Sequence, residues 1–197
     1  MKGELVVGGM RGRLLRDYRS LVQMVFQDPY SSLTPAKTLG SILSRPLVNY
    51  KGLRGAAVRE KVMELLETVA LTPASRYYNR FAYELSGGQR QRVVIARALA
   101  VEPELIIADE PISSLDVSIR AEVLELLNRL VHEHDVGILY ITHDLLSARM
   151  LSDEVIVLNE GKVVEQGPSL DVIRYPKDSY TQLLLEAIPN PFEEAPR

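Results

Sequence analysis

Residues 85–92 read Leu-Ser-Gly-Gly-Gln-Arg-Gln-Arg, and the apolar residues after them continue with helical spacing. Serine is a favourable helix N-cap, and Gln89, three positions after Ser86, can complete a capping box. The unpaired N–H groups and partial positive charge of a helix start suit a phosphate. Gly87 and Gly88 permit close approach of the backbone to a ligand. The stretch therefore predicts a helix whose start faces a phosphate. A capped helix after a loop, with no ligand, would show the same Ser-Gly-Gly pattern.

Two adjacent carboxylates, Asp109 and Glu110, close the aliphatic run that begins at Leu105. In an open α/β sheet, ligands bind beyond the carboxyl ends of the strands. At such a position Asp109 can hold Mg²⁺ through water, and Glu110 can polarise an attacking water. Paired acids after a strand also occur as a solvated turn that caps the next helix, so this alternative stays open for the pair taken alone.

Three further polar segments follow predicted strands. His143 comes after the apolar run 138–142 and before a helix predicted to begin near Asp144, where it can donate a hydrogen bond to a terminal phosphate. A lone histidine after a strand is more often a residue that packs against its neighbours or caps a helix. Gln27 follows residues 22–26, and its neutral amide can reach a metal-bound water. Residues 113–116, Ser-Ser-Leu-Asp, form a turn and a helix N-cap on the simplest interpretation.

Short aliphatic runs alternate with helical periodicity along the chain, which predicts an α/β fold. Such runs suit strands buried on both faces of a parallel sheet. Residues 29–84 carry turn and helix signals without a convincing strand, so they are interpreted as a helical insertion. Residues 159–162 predict a hairpin turn, and two short helices are expected after Pro168. The predicted strands are Leu21–Phe26, Leu105–Ala108, Gly137–Ile141 and Glu154–Leu158, and the clearest helical periods cover 58–69 and 119–130.

Composition excludes several classes of protein. The chain has 197 residues, of which 46% are hydrophobic and 25% charged, as in an ordinary globular domain. The net charge of −3 gives no general reason to expect nucleic acid as a partner. The absence of cysteine excludes disulfides and thiolate metal sites. No apolar run reaches the roughly 18 residues that cross a bilayer. We therefore expect a cytoplasmic protein that meets the membrane only through a partner.

Taken together, Gln27, residues 85–89, Asp109-Glu110, residues 114–116 and His143 resemble the ATP-binding subunits of ABC transporters. In that family these are the Q-loop, signature, Walker B, D-loop and switch histidine. Residues 25–33 and 175–184 further resemble the importers of oligopeptides, dipeptides and related solutes. The resemblance implies a P-loop NTPase-like ABC ATPase core with a parallel sheet, formed by residues 1–28 and 102–174. It also implies an inserted α-helical subdomain over 29–101, which includes the signature helix, and a C-terminal extension over 175–197.

The resemblance also implies cofactors and partners. ATP and Mg²⁺ are the expected cofactors, and the subunits of this family pair head-to-tail, so that each signature completes the ATP site of the other. Transmembrane permease subunits hold the pair at the cytoplasmic face of the membrane, a solute-binding protein acts indirectly, and no nucleic acid is involved. The implied roles are catalysis by Glu110 and His143, nucleotide contact by Gln27, Ser86, Gly87, Gly88, Gln89 and Asp116, and metal binding by Asp109 and Gln27.

One motif of the family is missing from the printed sequence. The phosphate loop G-x-x-x-x-G-K-[ST] does not occur, because the single Gly-Lys pair, Gly161-Lys162, is followed by Val163. Typical subunits carry this loop before the segment that resembles residues 2–7, so we expect an N-terminally truncated domain, either a fragment of a longer product or a degenerate copy.

Two functions remain open. One is an ATPase subunit that powers import of peptides or related solutes, here without its phosphate-binding loop. The other is a non-hydrolysing module whose signature completes the ATP site of an intact partner. A soluble ABC protein of DNA repair or translation is disfavoured, because the chain shows neither a long coiled-coil insertion nor a second cassette.

Overall fold

The computed structural model describes residues 7–187, which form two compact units divided between Ile141 and Thr142. The first unit contains a 3₁₀ turn (Val7–Gly9), α1 (Gly12–Leu21), β1 (Val22–Val25), α2 (Pro29–Ser32), α3 (Leu39–Lys51), α4 (Ala56–Thr68), α5 (Ala74–Tyr78), a second 3₁₀ turn (Ala82–Glu84), α6 (Gly87–Leu99), β2 (Leu105–Asp109), α7 (Val117–His134) and β3 (Gly137–Ile141). The second unit contains α8 (Leu145–Leu151), β4 (Glu154–Asn159), β5 (Lys162–Pro168), α9 (Ser169–Arg174) and α10 (Ser179–Glu186). No helix within residues 7–187 has both the length and the apolar character needed to cross a membrane.

The sheet of the first unit has three parallel strands in the order β1-β2-β3. Its strands confirm the predicted runs, and α7 supplies the crossover between β2 and β3. One face is fully buried at Val25, Ile106 and Ala108. On the other face Met24 is 40% and Leu139 is 51% exposed. The expectation of strands buried on both faces is therefore wrong for this unit, because α6 packs on β1 while the second face stays open to solvent within the described residues.

The helical insertion is confirmed, since residues 29–84 form α2 to α5 and contribute only an isolated bridge between Thr38 and Phe81. Helix α6 packs against α2, α3, α4 and α7, so the helix that begins after Ser86 is the centre of this packing. Helix α1 is absent from the predicted elements, although Leu14, Tyr18 and Leu21 recur with helical spacing. Arg11 at its N-cap makes no side-chain capping bond, and none of the α1 residues is buried.

The second unit is built on the predicted hairpin. Strands β4 and β5 are antiparallel, with Asn159 opposite Lys162, and both turn residues, Glu160 and Gly161, have positive φ angles of 49° and 75°. Positive φ at both central positions is the requirement of a two-residue type I′ hairpin turn. A small apolar core forms beneath it from Ala148, Val155, Val157 and Val172. The two units divide after Ile141, which is not one of the predicted domain boundaries; those boundaries stay a prediction. Residues 188–197, the end of the predicted C-terminal extension, lie outside the described residues.

Glu165 on β5 fixes the start of α10. Its carboxylate accepts hydrogen bonds from the backbone N–H of Lys177 at 2.9 Å and of Asp178 at 3.1 Å. Desolvation by itself would raise the pKa of Glu165, but these N–H donors favour the charged form and leave the pKa below its ordinary value. The described part of the C-terminal extension is thus held to the hairpin by a charged acceptor.

We expect this attachment to weaken in acid. Because the folded-state pKa of Glu165 is lowered, its stabilising contribution is present above the ordinary pKa and is lost as the pH falls through the folded-state value. Amide NMR shifts of Lys177 and Asp178 followed against pH should titrate with a midpoint below the ordinary glutamate value. In a Glu165→Gln variant neither amide should follow that titration; a midpoint at or above the ordinary value would contradict the lowered pKa.

Candidate nucleotide site

Gln27 and Glu110 meet at one edge of the sheet. Gln27 follows β1 and Glu110 follows β2, and the carboxyl ends of neighbouring parallel strands lie side by side. The Gln27 Nε2 donates a hydrogen bond to the Glu110 Oε2 at 3.1 Å, although the two residues are 83 positions apart in the sequence. The donor is the amide nitrogen, so the Gln27 amide oxygen keeps its acceptor capacity for another ligand.

Asp109, the last residue of β2, is half-buried. Within residues 7–187 its carboxylate has neither a hydrogen bond nor an ion pair. A partly desolvated charge without a partner is costly, and a bound cation would offset that cost. Mg²⁺ in nucleotide sites is held by one or two carboxylates, with waters and phosphate oxygens as its other ligands. The described residues contain no cluster of three or more His, Cys, Asp or Glu side chains able to hold a metal by themselves, so this donor set fits Mg²⁺ only together with a nucleotide.

Glu110 turns the chain sharply after β2. Its φ is 44°, in the left-handed region that a non-glycine residue enters only at an energetic cost. Three hydrogen bonds hold it there: its N–H donates to the Ile141 carbonyl at 2.9 Å, and its own carbonyl accepts from the Ser113 N–H at 3.2 Å and from the Ser113 Oγ at 3.0 Å. The direction in which residues 111–116 leave the sheet is therefore fixed by the backbone of Glu110.

Residues 113–116 are tied down on two sides. The Ser114 Oγ donates to the Gln27 carbonyl at 3.4 Å, which joins this loop to the end of β1. Arg120, in the first turn of α7, donates from Nε to the Leu115 carbonyl at 2.8 Å and from Nη2 to the Ser113 carbonyl at 3.3 Å. The sequence did not single out Arg120. Its only local signal is its position in the first helical turn, from which a long cationic side chain can reach back to the preceding carbonyls.

Asp116 occupies the N-cap position of α7 without capping it. Its side chain makes no capping hydrogen bond and is exposed. Three other aspartates at N-caps, Asp28, Asp144 and Asp178, accept hydrogen bonds from the N–H groups of the helices that follow them. A helix N-cap is thus not the role of the Asp116 carboxylate in this structure, which leaves it directed to solvent or to a partner surface.

The start of α6 confirms the predicted capping box. The Gln89 N–H donates to the Ser86 Oγ at 3.3 Å, and the Ser86 N–H donates to the Gln89 Oε1 at 3.2 Å. Ser86 is exposed and Gly87 is half-buried. Gly87 and Gly88 are the first two helical residues, so their N–H groups have no intrahelical acceptor. The structure therefore presents a capped helix start at the surface, as a phosphate would require.

The two glycines of this helix start have different surroundings. A Cβ added to Gly88 would overlap the Ile119 Cγ2 on α7, whereas one added to Gly87 would meet the Leu115 Cδ2 at 3.6 Å, an ordinary contact distance. Gly88 is buried, so its lack of a side chain is required by the packing of α6 on α7. Gly87 lies beside the loop that carries Asp116, which brings the predicted signature and the predicted D-loop together on one surface.

His143 belongs to the second unit, where it is exposed between Thr142 and Asp144. The Thr142 Oγ1 accepts from the Asp144 N–H at 3.0 Å, and the Asp144 carboxylate caps α8 through the Leu146 N–H at 3.0 Å and the Ser147 N–H at 3.4 Å. The helix expected near Asp144 is confirmed. The joint action of His143 with Glu110 stays a prediction.

We expect Gly88→Ala to destabilise the chain by about 1–3 kcal/mol, since the new methyl group must displace Ile119 from a close-packed position. Gly87→Ala is the matched control: it adds the same methyl group one residue away, where the contact is ordinary, and it gains helix propensity. Urea unfolding midpoints of the two variants measure the difference. Gly88→Ala combined with Ile119→Ala should recover part of the loss; equal midpoints for the two single variants would contradict the packing.

Comparison with known proteins gives matches that include the residues of the candidate site. The family model described as "ABC transporter" matches residues 2–113, which include Gln27, the helix start at Ser86 and the acid pair. The chain is 44% identical over 196 residues to the oligopeptide transport ATP-binding protein OppF of Streptococcus mutans and 46% identical over 190 residues to OppF of Bacillus subtilis, in each case over 96% of its own length. It is 43% identical over 171 residues, 87% of its length, to the dipeptide transport ATP-binding protein DppF of Haemophilus influenzae. It spans 63%, 62% and 52% of those three proteins, respectively.

Two solved structures share the fold. One is cbiO1 from Clostridium perfringens, part of the ABC transporter complex cbiONQ, with a TM-score of 0.75 and 30% identity over 84% of this chain and 64% of that one. The other is the ATP-binding cassette MJ0796, a dimer in a post-hydrolysis state with ADP and Pi, with a TM-score of 0.68 and 33% identity over 79% of this chain and 66% of that one. These matches confirm the predicted α/β ABC ATPase fold. The family model matches residues 2–113, and this range includes both the capped helix start and the acid pair. This chain therefore belongs to the ABC transporter family.

Proposed function

We propose that this chain is the ATP-binding subunit of an ABC transporter that imports peptides or related solutes. In this proposal it pairs head-to-tail with a second ATP-binding subunit. The pair lies at the cytoplasmic face of the membrane under transmembrane permease subunits, and a solute-binding protein acts indirectly. Support comes from relatives that carry the names of oligopeptide and dipeptide transport proteins and from the dimer of the related cassette.

The surface formed by the start of α6 and residues 113–116 is the observation that carries this proposal. Ser86, Gly87 and Asp116 are accessible there, the first N–H groups of α6 have no intrahelical acceptor, and the Asp116 carboxylate does not cap its own helix. Free N–H groups at a helix start bind phosphate oxygens. We therefore propose that this surface completes the site of a nucleotide that is held mainly by another polypeptide.

The edge of the sheet would serve the chain's own nucleotide. Asp109, together with the Gln27 amide oxygen, would hold Mg²⁺, which neutralises the charge on the phosphate oxygens. Glu110 would polarise the attacking water, because it lies next to the metal-binding aspartate and its position is fixed by Gln27. His143 would donate a hydrogen bond to the terminal phosphate.

The second function is that of a non-hydrolysing partner module. The printed sequence holds no G-x-x-x-x-G-K-[ST] stretch, whose backbone N–H groups and lysine cradle the phosphates in this class of protein. If the whole protein carries no such loop beyond the printed residues either, the chain is a non-hydrolysing module, in which the α6 surface acts on an intact partner while Glu110 has no nucleotide of its own to act on.

A mixed ATPase assay separates these possibilities. The full chain is added to an intact ABC ATPase subunit that carries its own phosphate loop, and the rate is measured at saturating ATP. Ser86→Arg should reduce the stimulated rate to about a tenth or less, because the arginine fills the space in front of the free N–H groups. Ser75→Arg adds the same side chain to an exposed position on α5 and should leave the rate unchanged.

Glu110→Gln then identifies which function applies. If the chain hydrolyses ATP at its own site, this variant lowers the stimulated rate, because the polarising carboxylate is lost. If it is a non-hydrolysing module, the rate is unchanged while Ser86→Arg still abolishes the stimulation. Equal rates for wild type, Ser86→Arg and Ser75→Arg would exclude both functions.

A further inference from the structure

Two arginines of α6 hold the short helix that follows Gln27. The Arg90 guanidinium lies over the ring of Tyr30 in α2, with its central carbon 3.9 Å from the ring centroid. The Arg97 Nη1 donates a hydrogen bond to the carbonyl of Ser32, the last residue of α2. The two arginines are seven positions apart and therefore lie on one face of α6. Helix α6 therefore holds α2 at two points, Tyr30 and Ser32.

Hydrogen bonds to backbone carbonyls fix the guanidinium groups of both arginines. Arg90 also donates from Nε to the Ala82 carbonyl at 2.8 Å and from Nη2 to the Tyr83 carbonyl at 3.1 Å, which fixes the plane of its guanidinium over the ring. Burial lowers the pKa of Arg97 from its ordinary value. Within residues 7–187 neither arginine side chain forms an ion pair with a carboxylate. Their role is therefore to link α6 to neighbouring elements, and they do not neutralise the charge of a buried acid.

Arg92, between them in sequence, provides the contrast. Its Nη2 pairs with Glu122 on α7 at 2.7 Å and its Nη1 donates to the Val69 carbonyl at 3.0 Å. These bonds join it to α7 and to the residue after α4, and within residues 7–187 it forms no hydrogen bond or ion pair with α2. Helix α6 therefore has two arginines that contact α2, and a third that contacts Glu122 on α7 and the Val69 carbonyl.

The link continues from α2 to Gln27 through Asp28. The Asp28 carboxylate accepts from the Tyr30 N–H at 2.8 Å and from the Ser31 N–H at 3.2 Å, and its carbonyl accepts from the Ser31 Oγ at 3.1 Å and the Ser32 Oγ at 3.0 Å. Residues 28–32 are thereby a short rigid block whose first residue is bonded to Gln27. Contacts therefore run from α6 to this block at two points, and the block continues directly into Gln27, whose side chain binds Glu110.

We infer that Arg90 and Arg97 are positioning residues that join the Gln27 segment and the start of α6 into one rigid link. Loss of either arginine contact would loosen the position of Ser86 and Gly87 relative to the Gln27–Glu110 edge of the sheet. The rigid link follows from contacts of the described residues. Its role in coupling two nucleotide sites rests on the proposed function.

Amide hydrogen exchange of the full chain tests the rigid link without any assumption about activity. Arg97→Met and Tyr30→Leu should each speed exchange of the Ser32 and Leu33 amides by about fivefold, because each removes one attachment of α2. Tyr30→Phe keeps the ring and should leave exchange as in wild type. Arg92→Met is the matched control on the same helix. Unchanged exchange in both Arg97→Met and Tyr30→Leu, or equal acceleration in Arg92→Met, would overturn the link.

The coupling role is tested in the mixed assay with the intact subunit and ATP. Tyr30 is 62% exposed, so Tyr30→Leu should fold normally. We expect it to lower the maximal stimulated rate by about fivefold while the chain concentration that gives half of that rate is unchanged, and Tyr30→Phe to restore the wild-type rate. Faster exchange with an unchanged maximal rate would mean a structural contact only and would overturn the coupling. If the wild-type chain gives no stimulation, the proposed function fails, and the exchange result still decides the rigid link.

Discussion

The parallel pairing of β1 with β2 is the constraint on which the site depends. Val25 stands opposite Ala108, so the chain leaves both strands at the same edge of the sheet, and the residues two positions further on, Gln27 and Glu110, are within hydrogen-bond distance. A register shift of one residue would turn the side chains of β2 to the opposite face and could place Asp109 opposite Val25, where Ala108 now stands. The buried contacts of Val25, Ile106 and Ala108 on one face make such a shift costly.

Residues 110–116 connect this edge to the start of α6. The left-handed backbone of Glu110 turns the loop away from the strand, Ser114 binds the Gln27 carbonyl, and Leu115 lies beside Gly87. Arg120 holds the carbonyls on either side of Ser114 and so prevents the loop from relaxing. A strained residue kept in place by several hydrogen bonds is typical of a position where direction matters more than local stability.

The local signals of the sequence predicted local structure well. Aliphatic runs predicted each strand to within about two residues, and Ser86 with Gln89 predicted a capping box that the structure reproduces. Contacts that depend on the tertiary fold were not predictable in this way. Arg90, Arg97 and Arg120 bind carbonyls and a ring whose positions are set by packing, and no spacing in the chain marks them. Helix α1 was missed although Leu14, Tyr18 and Leu21 recur with helical spacing, because Arg11 at its start is not a capping residue.

The two glycines of the signature show how packing and binding share one motif. Gly88 lies against Ile119, and this close approach sets the distance of α6 from α7. Because that distance is fixed, Gly87 and Ser86, one and two residues earlier, stand at the surface beside Leu115 and Asp116. A side chain at position 88 would lift the whole helix start away from the loop, whereas one at position 87 would narrow the access to its N–H groups. Packing within this chain therefore requires glycine at position 88, whereas a requirement for glycine at position 87 follows only from the proposed binding of a partner's nucleotide.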